Sequence, residues 1–100
     1  MAYAFNDDKS KYELEFVTRT FSKYYSLAAN AVISDSIDIS VDGYTPIGIA
    51  GFDTNIATSD VIASGVTIST QDNTVNYRLK NFGTGSRSNY FIVDVTYIKN

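Results

Sequence analysis

The sequence predicts an all-β fold, a β-sandwich or jelly-roll-like antiparallel domain of about seven strands. Three observations carry this expectation. Short runs alternate apolar and polar residues with the period of two that marks a half-buried strand. Turn dipeptides and clusters of Gly, Asn, Asp and Ser separate those runs. No stretch carries a clear helical signal.

The 100 residues, 44% of them apolar, make one ordinary globular domain. A chain of this length buries somewhat over ~60% of its unfolded surface, so one core is attainable without cross-links. Residues 1–11 read as a polar lead-in and residues 12–100 as a single domain.

In the lead-in, Asn6 or Asp7 could cap a brief helical turn ahead of Asp8, Lys9 and Ser10. Tyr12, Leu14 and Phe16 then alternate with Glu13, Glu15 and Val17 as a first strand, extended by Thr18, Thr20 and Phe21. Residues 24–33 contain three alanines, which leaves a helical turn open. Their flanks favour a strand from Tyr24 and a turn around Ala28 to Asn30. Ile37, Ile39 and Val41 alternate cleanly with Ser36, Asp38, Ser40 and Asp42.

Asp42-Gly43 is a turn dipeptide. Pro46 cannot donate to a ladder and belongs at a strand start or on an edge. From Ile47 to Phe52 the small residues Gly48, Ala50 and Gly51 either mark a bulge or bare a face to a neighbouring subunit. Asp53 to Asp60 is a polar loop with Ile56 as its one large apolar residue. Val61 to Thr70 resumes strand character, with a kink at Ser64-Gly65. Gln71-Asp72-Asn73 is a hairpin turn. Val75, Tyr77 and Leu79 share one face of the following strand, opposite Asn76, Arg78 and Lys80. After a polar loop from Gly83 to Asn89, the strand from Tyr90 to Ile98 is apolar on both faces, as expected of a central strand or one held against another chain.

Composition removes several functions. Without cysteine, disulfides and thiolate metal sites are excluded. Without histidine, the commonest general base and zinc ligand are gone. A net charge of −3 and a pI near 4.6 disfavour nucleic acid as a partner. No segment reaches the roughly 20 apolar residues of a membrane span, and the N-terminus lacks the pattern of a signal peptide. Synthesis in a cytoplasm is the expectation.

Catalysis is not expected. A hydrolase would need a carboxylate pair, from Asp35, Asp38 and Asp42 or else Asp53 with Asp60, but acids at turn ends usually cap and solvate. Asp35, Asp38, Asp72 and Asn73 offer oxygens without the spacing of a calcium loop. Gly83-Thr84-Gly85 is not followed by the helix a phosphate loop requires. No metal or other cofactor is expected.

The aromatic residues are more informative. Eight tyrosines exceed what so small a core requires, and tyrosine suits interfaces and sugar-stacking surfaces. Tyr24, Tyr25 and Tyr90 are the candidate ligand-binding residues. Tyr44, Pro46, Gly48, Ala50, Phe52 and Tyr97 are the candidate oligomer interface.

The stretch Gly43-Tyr44-Thr45-Pro46-Ile47-Gly48-Ile49-Ala50-Gly51-Phe52 resembles a segment of short structural proteins from tailed phages of Gram-positive gut bacteria. The strand from Val75 to Asn81, the closing Val93-Asp94-Val95-Thr96-Tyr97-Ile98-Lys99 and the opening Phe5-Asn6-Asp7-Asp8-Lys9-Ser10-Lys11 are similar too. The resemblance covers residues 43–100 well and the first forty loosely. It implies a virion protein made in the bacterial host: the head or tip β-sandwich of a tail fibre or baseplate, commonly a trimer. Its implied partners are copies of itself, other virion proteins and a host surface polysaccharide. The chain lacks the heptads or fibrous repeat of a shaft, which points to a stand-alone tip or accessory protein. A monomeric carbohydrate- or peptide-binding module of bacterial origin is the alternative.

Overall fold

Alternating side chains give each strand one apolar face, and that face is buried only when sheets form and meet. The computed structural model of the chain describes residues 15–54 and 60–100. Six strands are found: β1 (Phe16–Leu27), β2 (Val32–Asp38), β3 (Tyr44–Asp53), β4 (Val61–Ser69), β5 (Thr74–Asn81) and β6 (Arg87–Lys99). They form two three-stranded antiparallel sheets, ordered β1-β6-β3 and β2-β5-β4. No helix occurs among the described residues.

The central strands are those with the most regular apolar alternation. In β5, Val75, Tyr77 and Leu79 are buried; in β6, Phe91, Val93, Val95 and Tyr97 are fully buried. With Leu27, Ile37, Ile39 and Val61 they make one apolar cluster shared by both sheets. Tyr77 of β5 stacks on Phe91 of β6 with ring centroids 4.0 Å apart. Each large side chain buried this way contributes roughly 1.5–3 kcal/mol.

The expected seven strands are therefore six. The strands expected over residues 12–21 and from Tyr24 are one 12-residue element, because β1 pairs with β6 without interruption from Phe16↔Ile98 to Leu27↔Arg87. A partner 13 residues long offers an unbroken ladder, and no residue between Phe21 and Tyr24 has to break it. The expected strand centred on Ile37 to Val41 lies earlier, at Val32–Asp38. Ile39 follows that strand, fully buried, with its amide on the carbonyl of Asn73. The polar lead-in, its capped turn, Tyr12, Leu14 and residues 55–59 with Ile56 lie outside the described residues.

The turns fall where their residues require them. Asn30 (φ 63°) and Gly43 (φ 82°) turn the chain after β1 and before β3, and Asn73 (φ 55°) closes the β4–β5 hairpin. Gly65 (φ 60°) sits where the register of β4 against β5 shifts between Ser64 and Thr67, so the expected kink is a bulge. β3 pairs only with β6 and carries two register shifts, after Pro46 and after Ile49. Pro46 is thus tolerated on an edge strand, as its missing donor demands.

Candidate functional site

Strand direction divides the molecule into two ends. β1 and β6 are antiparallel partners, so Glu15 and Asn100 emerge together: the Lys99 amide bonds to the Glu15 carbonyl and the Asn100 amide to Gly43, each at 2.9 Å. The opposite end collects the β1–β2, β3–β4 and β5–β6 connections.

This loop end is fastened by Asn81, a fully buried polar residue at the close of β5. Its Nδ2 donates to the carbonyls of Leu27 (3.1 Å), Ala28 (3.2 Å) and Gly85 (2.8 Å). Its Oδ1 accepts the Gly83 amide at 2.8 Å. One side chain thereby joins two of the three connections. Asp60, at the edge of the third, receives Arg87 Nε at 2.9 Å and Nη2 at 2.7 Å. Its carbonyl accepts the Phe82 amide at 2.7 Å. A Cβ at Gly83 would fall 2.6 Å from Asp60 Oδ2, so a larger residue there would have to displace the Asp60 side chain. The role of Asn81 escaped the residue-by-residue reading, because an Asn closing a strand looks like ordinary turn chemistry.

Of the three candidate ligand-binding tyrosines, the fold brings two together. Tyr24 and Tyr90 are register partners across β1 and β6 on the outer face near the loop end. Their rings meet edge to face, with centroids 5.1 Å apart and planes at 68°. They remain 56% and 45% exposed. Such a pair adds about 0.5–1.5 kcal/mol beyond its burial.

Tyr25 points the other way, because successive strand residues face opposite sides. Its hydroxyl lies against that of Tyr77 and donates to Asp35 Oδ2 at 3.0 Å. Asp35 also holds Lys23 Nζ at 2.9 Å and the Ser36 amide at 2.7 Å. Lys23 and the Ser36 amide keep the Asp35 carboxyl below its ordinary value of 3.8. Burial, reinforced by the bond to Tyr77, pushes the Tyr25 phenol well up. Burial raises Tyr77 as well. An ionised, fully engaged carboxylate beside two neutral phenols forms a polar clasp between β1 and β2.

The candidate interface residues separate in the same manner. Tyr97 is fully buried and donates its hydroxyl to the Ile39 carbonyl, so it has no surface to give a second subunit. Pro46, its register partner, is buried too. Tyr44 is half-buried and its hydroxyl donates to Glu15 at 3.3 Å. Phe52 keeps 49% exposure with its ring 6.3 Å from Phe91. Ala50 is exposed, and a Cβ placed on Gly48 or Gly51 would meet nothing within 4 Å.

The carboxylates considered for hydrolysis are spread over β2, β3 and the connections that follow them. Asp38 pairs with Thr74 beside the β4–β5 turn and Asp60 lies at the loop end, so the two are at opposite ends of one sheet. The Ser40 amide holds Asp38, and the Thr54 amide holds Asp53. Among the described residues, no three carboxylates gather as metal ligands would. The remaining exposed apolar side chains of the loop end are Val32, Ile62 and Phe82. Comparison with family models, characterised proteins and solved structures found no match to this chain.

Proposed function

We propose that this chain is a structural attachment module of a phage virion, a homo-oligomer, with a trimer favoured, at a tail-fibre or baseplate tip. We read its two sheets as a β-sandwich. The order β1-β6-β3 and β2-β5-β4, with all connections but the β4–β5 hairpin passing between sheets, supports reading it as a jelly roll shortened by one hairpin. The observation that carries the functional reading is the separation of ends. Chain entry and exit share one end, while the loops and the exposed Tyr24–Tyr90 pair gather at the other. A module built this way can be held by its base and present its tip to a host surface polysaccharide or another virion protein. The small residues Gly48, Ala50 and Gly51 on β3 support the oligomer, since a backbone with little side chain on it admits close approach.

The exposed tyrosine pair favours a second reading, a monomeric carbohydrate-binding module. Solution mass at micromolar concentration separates the two. A trimer supports the virion reading, and a clean monomer overturns it. A monomer whose glycan-array signal disappears in Tyr24→Ala or Tyr90→Ala supports the second.

A further inference from the structure

We infer that the outer face of the β2-β5-β4 sheet is a binding surface for an anionic sugar chain, one carrying carboxylate or phosphate groups along a polyol backbone. This surface is distinct from the Tyr24–Tyr90 pair, which lies on the outer face of the other sheet.

The register builds it in three rungs centred on β5. Val32, Lys80 and Ile62 form the first, nearest the loops. Ser34, Arg78 and Ser64 form the second. Ser36, Asn76 and Thr67 form the third. Residues paired in register share a face, so two cations stand in the middle of the sheet and small hydroxyls flank the lower one. No carboxylate occupies these three rungs, and the nearest on this face is Asp38, one rung further from the loops beside Thr74. Among the described residues, neither Arg78 nor Lys80 has a salt bridge to an acid. On the opposite sheet, the outer rungs carry Asp94 and Asp53 and no cation. Of the two outer faces, that of β2-β5-β4 is the one whose described rungs carry cations.

The shape follows from side-chain size. Ser34, Ser36 and Gly65 are too small to fill the space beside Arg78, which leaves a trough of about 470 Å³. Asp35 also lines it, with its charge met by Lys23 at 2.9 Å. That lies within the roughly 300–1,000 Å³ range of small-molecule sites. A second depression of about 210 Å³, lined by Val32, Ile62, Lys80 and Phe82, adjoins it through the shared Arg78. The Lys80 ammonium lies 4.7 Å from the centroid of the Phe82 ring, which keeps the charge near the trough.

The chemistry selects the ligand. A guanidinium presents a planar donor fork that matches carboxylate or phosphate. Serine and threonine hydroxyls both donate and accept, as sugar hydroxyls do, and Asn76 adds a donor and an acceptor. An extended acidic peptide would instead be expected to add along a strand edge, and these groups stand on the sheet face.

The test uses the full chain with two anionic probes, a galacturonate oligomer and a glycerol-phosphate oligomer, and a neutral maltooligosaccharide. Binding is read by titration and by backbone amide shifts. At least one anionic probe should bind, weaken as salt rises, and shift amides of β2, β4 and β5. The galacturonate and phosphate arms tell which oxyanion is preferred. Arg78→Gln should weaken binding about tenfold or more, and Lys80→Gln should weaken it less. Because both side chains lie on the outer face, each variant should retain the wild-type amide spectrum away from the substitution. Tyr24→Ala should bind the anionic probe as the wild type does, which separates this surface from the tyrosine pair. Equal binding of the neutral chain, no response to Arg78→Gln, or no binding of either anion at millimolar concentration would overturn the inference. So would occupation of the face by a second copy, seen as concentration-dependent amide shifts on β5 without ligand.

Discussion

Asn81 directs its side-chain hydrogen bonds to the main chain of two connections from a fully buried position. Asn81→Ala leaves the buried Leu27 carbonyl and the part-buried Ala28 and Gly85 carbonyls and Gly83 amide without this partner. Urea denaturation should show a loss of about 2–3 kcal/mol, with chemical-shift changes concentrated at residues 27–31 and 82–86. Arg87 and Asp60 matter less by this measure. Both side chains keep about a third of their surface in water, and half-exposed ion pairs contribute roughly 0–1 kcal/mol. The contrast rests on burial rather than bond count.

Each strand is shaped by where it sits in its sheet. β3 and β4 are edge strands with bulges, and β3 also contains Pro46. β1 and β2 are regular edges, guarded by charges on their inward faces, Lys23 and Arg19 on β1 and Asp35 on β2. Both are devices that discourage uncontrolled strand pairing. The β1–β2 clasp also sets a pH dependence. The Asp35 carboxyl is lowered in the folded chain, so its contribution is present above the unfolded value and is lost as pH falls through the folded one. Asp35→Asn should therefore lower the urea midpoint at neutral pH. The deficit should shrink as pH drops below the ordinary value of 3.8, and a constant deficit across that range would refute the clasp as an ionic one.

At the scale of the whole molecule, one apolar cluster joins both sheets, and three phenols lie within or against it. Tyr25, Tyr77 and Tyr97 come from β1, β5 and β6, and burial raises all three. A raised folded value means that their stabilisation is intact below the unfolded value and disappears as pH climbs through the folded one. Above pH 10.0, the ordinary phenol value, the unfolded chain gains by ionising and the native state does not. Alkaline titration should show these three phenols ionising together with loss of near-ultraviolet circular dichroism.

Alternation by itself determined the β class, the hairpin at Gln71–Asn73, the kink at Gly65 and the place of Pro46 on an edge. Each depends on neighbours in sequence: the period of two, a residue that accepts positive φ, or a missing donor. Tertiary structure decided the rest. Tyr24 and Tyr25 look equivalent along the chain, yet one rung of β1 sends the first outward to Tyr90 and the second inward to Tyr77. Tyr97 was a candidate interface residue on a strand expected either at the centre of a sheet or against another chain, and it is core because that strand is the middle of its sheet. Arg78 and Lys80 were legible only as the polar side of a strand. Register against β2 and β4 then placed serines beside the first and aliphatic side chains beside the second. Which residues share a face across strands is a long-range relation, and no local pattern in the chain encodes it.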